Sequence, residues 1–74
     1  MASKQQVERK ATSTGSTLVV DGPLVTLYAP DGHRFSECHI ITREAGYFAT
    51  KADIYDELID ELDELRPCDP GCTC

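Results

Sequence analysis

The residues best suited to chemistry in this 74-residue chain are its four cysteines and two histidines. Three thiols, Cys68, Cys72 and Cys74, fall within the last seven residues in the order Cys-x3-Cys-x-Cys. Pro70-Gly71, between the first two, is a turn signal that would bring them toward each other. A fourth ligand is on offer from Cys38, His39 or His33. Cys38 and His39 are neighbours on what reads as a strand, where successive side chains point to opposite faces, so at most one of them is expected to join. Three or four sulfurs, with or without an imidazole, suit tetrahedral Zn²⁺, and the expected ligand set is Cys38, Cys68, Cys72 and Cys74. Such a site would tie the tail to the sheet and supply the staple that a domain of this size lacks. The spacing is not the paired Cys-x2-Cys of the familiar zinc knuckle. Mobile reduced thiols, and disulfides with three pairings open to four cysteines, therefore stand beside zinc as readings of the same residues. Cys38 is not expected to act as a nucleophile beside His39, because adjacent strand residues diverge and no elbow motif surrounds them. His33, after a turn, reads as a surface side chain, and His39 as a half-buried strand residue.

The second concentration of chemistry is charge. Residues 51–65 hold seven carboxylates (Asp53, Asp56, Glu57, Asp60, Glu61, Asp63 and Glu64) against one cation, Lys51, and so carry the whole formal net charge of −6. Acids near a helix N-terminus are favourable with the macrodipole, which accounts for Asp53, Asp56 and Glu57. Glu61, Asp63 and Glu64 lie toward the negative end instead. Asp53 with Glu57, and Asp60 with Glu64, are like-charge pairs at i,i+4, each costing about 0.2–0.5 kcal/mol. A helix chosen for stability alone would interleave Lys or Arg. Asp56, Glu57, Asp60, Glu61, Asp63 and Glu64 are therefore expected to form a docking face for a basic partner. The plainer reading is a solvated face that keeps a small protein soluble. Direct nucleic-acid binding through this face is not expected, since phosphates would be repelled. Nor is hydrolysis, because exposed acids on one helix lack the enclosed pocket that separates carboxyl acidities.

The elements that must position these groups are legible in outline. Residues 1–16 are rich in Lys, Gln, Ser and Thr, with Val7 almost the only large apolar side chain. Such a segment buries too little surface to offset its ordering entropy, so a flexible, slightly basic N-terminal arm is expected there. The β-rich runs 17–20 and 24–29 flank Asp21-Gly22-Pro23 and read as a hairpin. Pro30-Asp31-Gly32 makes a second turn, and the chain returns through residues 33–35 and 38–42. After a third turn at Glu44-Ala45-Gly46, residues 47–49 either add a fourth edge strand or lead into a helix. Thr50 is a suitable N-cap, with Asp53 completing a capping box. Ile54, Tyr55, Leu58, Ile59, Leu62 and Leu65 then share one helical face, and Pro67 ends the run. The expected class is α+β: a small antiparallel β-meander of three to four strands with one C-terminal amphipathic helix packed on the sheet. It would form a single domain over residues 17–66, followed by a Cys-rich tail over residues 67–74.

Residues 1–10 show no apolar run after their positive charges, so no secretory signal is read, and no segment is long enough to span a membrane. A cytoplasmic location with reduced cysteines is the resulting expectation. The expected function is a small non-enzymatic protein-interaction module, of regulator or inhibitor type. It would dock its acidic helix, or a sheet edge, on a larger basic protein such as nucleic-acid-processing machinery. An exposed meander edge could equally pair with a second copy to give a homodimer. The alternatives are a zinc-binding module built on the C-terminal cysteines, or a modified-peptide precursor whose acidic helical leader precedes a core of Thr73 and the tail cysteines.

Overall fold

In a computed structural model describing residues 2–69 and residue 71, the elements in chain order are α1 (Lys4–Thr14), β1 (Thr17–Asp21), β2 (Leu24–Tyr28), β3 (His33–Arg34), β4 (Ile40–Glu44), α2 (Lys51–Asp63) and β5 (Arg66–Pro67). The β-rich runs pair as an antiparallel sheet in the order β1-β2-β4. Gly22, at φ 59°, takes the left-handed conformation that glycine reaches without strain, and the reversal it allows sets Asp21 directly opposite Leu24. Register then aligns Leu18, Leu27 and Ile41 in one cross-strand row, and Val20, Val25 and Arg43 in the next. Because side chains alternate along a strand, both rows face the same side, where Val25, Leu27 and Ile41 are buried.

Helix α2 covers that side. Its N-terminus is set by a full capping box: the Thr50 hydroxyl accepts from the Asp53 amide, and the Asp53 carboxylate accepts from the Thr50 amide. Ile54, Tyr55, Leu58 and Leu62 are buried, and Ile59 and Leu65 pack against the core from its margin. The six apolar positions expected on one face are all used. Phe35, fully buried, enters the same core from the turn between β3 and β4. The α+β architecture, with a three-stranded antiparallel sheet and the C-terminal helix packed on it, is thus as the sequence predicts.

The expected N-terminal arm is a helix instead. Ser3 and Gln6 form a capping box at the start of α1, and Gly15, at φ 84°, closes its end, with its amide returning to Ala11 and Thr12 carbonyls. Val7 and Ala11, one turn apart, are buried in the shared core and α1 lies against α2. An 11-residue polar helix is marginal alone. Burial of this narrow stripe on an existing surface makes up the difference, a gain that the segment's polar composition does not reveal.

Three further differences concern the strands. β3 is not part of the main sheet but pairs with β5, joining His33 to Pro67 and Arg34 to Arg66. The tail therefore begins inside the fold rather than at residue 67. Cys38 and His39 precede β4 in a bend, so strand alternation does not separate their side chains. Residues 47–49 form no strand. No helix among the described residues is long and apolar enough to cross a membrane.

Candidate functional site

The acidic helix is engaged on nearly every carboxylate with the rest of the chain. The Ala2 amide donates to Asp56, and Lys10 pairs with Asp63, so α1 is fastened along α2 by charge as well as by Val7. Glu57 accepts from Arg43 at 3.1 Å, while the same guanidinium donates to both oxygens of Glu37 at 2.9 Å. Those hydrogen bonds, to Glu37 first and then to Glu57, hold Arg43 above its ordinary alkaline range despite partial burial. Glu61 accepts from the Ser36 hydroxyl at 2.8 and 2.9 Å, and Glu64 lies 3.6 Å from Arg66. Asp60 is the one of the six expected docking residues whose carboxylate has neither a hydrogen bond nor an ion pair among the described residues. The cations Lys10, Arg43 and Arg66 come from segments whose own charge balances to zero in sequence. Only the fold brings them to the helix. Each exposed pair contributes about 0–1 kcal/mol, so they fix geometry more than they add stability.

The most exposed apolar groups lie just ahead of that helix. Tyr47 is 95% and Phe48 96% exposed, and their rings meet edge to face with centroids 5.1 Å apart. The loop that carries them is closed below by the Gly46 amide donating to the Ala49 carbonyl at 2.9 Å. Its approach is held by the Ala45 amide on the Pro23 carbonyl at 2.7 Å. These aromatics lie in neither a fourth edge strand nor the helix. The signal available was their place outside the helical period, between Gly46 and the Thr50 cap. On the sheet face away from the helices, Val19, Leu24, Tyr28 and Ile40 are also exposed. They are interleaved with Thr17, Thr26 and Thr42 along the strands.

The cysteines divide. Cys38 is disulfide-bonded. Its sulfur is thus in a disulfide rather than offered as a thiolate, and the expectation of uniformly reduced cysteines fails at this position. The β3/β5 pairing brings Cys68 beside His39, next to Cys38 in the chain. Cys68 keeps its thiol, half-buried, with its amide donating to Gly32 at 2.9 Å. Its Sγ lies 3.4 Å from Nδ1 and 3.8 Å from Nε2 of His39, and that Nδ1 is 3.1 Å from the His33 carbonyl. The His33 ring has its Nδ1 3.1 Å from the Asp31 carbonyl, two residues back. Cys72 and Cys74 lie outside the described residues, and among those described no three acidic, Cys or His residues group as a metal site.

Two shallow depressions run along α1. One, of about 290 Å³, is lined by Glu8, Ala11, Thr12, Ser16, Thr17 and Leu18, and the other, of about 400 Å³, lies between Gln5, Arg9 and Ser13. Neither is lined by Cys68, His39 or the acids of α2. No protein family, curated protein or solved structure matches the chain.

Proposed function

We propose that the chain is a small non-enzymatic interaction module, of regulator or inhibitor type, that inserts Tyr47 and Phe48 into an apolar pocket on a larger protein with a basic rim. The observation that carries this reading is the near-complete exposure of the two rings on a hydrogen-bonded loop. Holding two aromatics in water has a hydration cost that packing elsewhere in this chain does not offset, whereas seating them in a partner removes it. Tyr in particular is enriched among the residues that dominate binding energy.

The acidic helix has a supporting part in this proposal. Its hydrogen bonds and ion pairs occupy individual carboxylates, but the chain keeps its net charge of −6, concentrated in the segment that follows the aromatic loop. That field would raise the association rate with a basic partner and weaken with salt, while the rings set the lifetime of the complex. Asp60 is the member of the row best placed for direct contact.

The test is quantitative affinity capture with the intact chain and with Tyr47→Ala/Phe48→Ala. Loss of both rings is expected to weaken capture of a specific partner at least about 30-fold, since each hot-spot truncation typically costs 2 kcal/mol or more. Asp60→Lys should mainly slow association and flatten its salt dependence. Partner capture that is indifferent to the rings would overturn the proposal.

A further inference from the structure

The sheet ends in β1 on one side and β4 on the other, and the two edges differ. The turn at Gly22 and Pro23 sets Asp21 against Leu24 as a hydrogen-bonded pair, because Pro23 has no amide to support the other pattern. Bonding alternates from there. Thr17, Val19 and Asp21 bond to β2, while the N–H and C=O groups of Leu18 and Val20 point off the sheet. None of the described residues hydrogen-bonds to those outward groups. On β4 the same alternation turns Thr42 outward, and its carbonyl is already taken by the Arg43 guanidinium at 3.0 Å. β1 has no such plug, nor a proline or lysine to blunt it. The core is open on the same side. Leu18 and Val20 share cross-strand rows with the buried Leu27 and Val25, yet both are only half-buried. The depression lined by Ala11, Thr12 and Leu18 lies along this margin.

We propose that the β1 edge is a homodimer interface, on which a second copy of the chain adds its own β1, antiparallel, about a two-fold axis at Val19. In that register Leu18 exchanges both main-chain bonds with Val20 of the second copy, so every outward donor and acceptor on the two strands is used. The side chains match as well. Val19 meets Val19, and Thr17 meets Asp21, so the one charge on the strand faces a hydroxyl rather than another carboxylate. Val20 of the second copy, set opposite Leu18, comes over the depression between α1 and β1. The strand is thus its own complement, which favours a second copy over a foreign segment. The acidic helix stays clear of the join: α2 lies against β2, and α1, with Lys4 paired to Glu8 and Lys10 to Asp63, lies against β1. This inference does not rest on the aromatic loop.

Sedimentation equilibrium of the full chain, from micromolar to millimolar concentration, is expected to show monomer and dimer in exchange. Amide hydrogen exchange followed by NMR at both ends of that range locates the join. Leu18 and Val20 should slow as concentration rises, while Thr42 and Glu44 on the other edge should not. Val19→Lys, which sets two cations face to face at an exposed position, should abolish the dimer and leave the circular-dichroism spectrum unchanged. Val19→Thr, still β-branched, should keep it. Thr17→Asp places a carboxylate opposite Asp21 in both halves and should weaken association about fivefold, whereas Thr17→Lys should tighten it by a similar factor. Tyr47→Ala/Phe48→Ala should dimerise as the unmodified chain does. A chain that stays monomeric at about 1 mM would overturn the proposal and leave the edge to a strand of another protein. So would a dimer that survives Val19→Lys, or slowed exchange confined to other amides.

Discussion

Glu57 on α2 receives the guanidinium of Arg43 from β4 at 3.1 Å, and through it is coupled to Glu37 in the preceding turn. One cation therefore ties helix, strand and turn together at the margin of the core. Arg43→Ala should lower stability by about 1 kcal/mol, more than either single carboxylate removal, because it leaves two acids facing each other. Thermal melts in low and high salt would check this, the difference shrinking as salt rises. The raised Arg43 value means that the stabilisation is complete at neutral pH and is lost only as pH climbs through that value, far into the alkaline range. Any change in stability between about pH 6 and 8 must come from other groups.

The N-terminal helix is expected to be structural. Ser3→Ala should cost about 1 kcal/mol through the lost cap, and Val7→Ala about 2 kcal/mol through the emptied core. Urea unfolding would show both as shifts in midpoint. A stability unchanged by Val7→Ala would mean that α1 is not packed on α2 in solution.

The aromatic loop should behave in the opposite way. Tyr47→Ser and Phe48→Ser, together or apart, are expected to move stability by no more than about 0.5 kcal/mol, as surface substitutions do. Near-unchanged melting together with lost association would separate the two properties cleanly.

Reduction of the Cys38 disulfide is expected to cost about 2–4 kcal/mol. A core of this size typically supplies about 3–5 kcal/mol in all, so the reduced chain should unfold near ambient temperature. Melting with and without a thiol reductant, and of Cys38→Ser, gives the comparison.

Helix α2 and the β1/β2 hairpin were legible because their signals are local: Thr50 with Asp53, six apolar residues at helical spacing, and Gly22 between two β-rich runs. α1 was missed because composition outweighed two small signals, the Ser3/Gln6 cap and the Val7/Ala11 stripe. The acidic row was correctly placed on a helix, yet its carboxylates could not be assigned partners from sequence. Lys10, Arg43 and Arg66 reach it only through tertiary packing. The β3/β5 pairing was hidden for the same reason, since it joins residues far apart in the chain.

The packing of α1 on α2 also orders events at the ribosome. The first helix emerges before any of the surface that buries Val7 and Ala11 exists, and alone it is too short and too polar to persist. Sheet and second helix must be synthesised and associate before it has a surface to settle on. Within this domain, the segment made before its packing surface is thus consolidated after it, and a nascent chain halted before α2 would present residues 4–14 to chaperones and proteases unfolded.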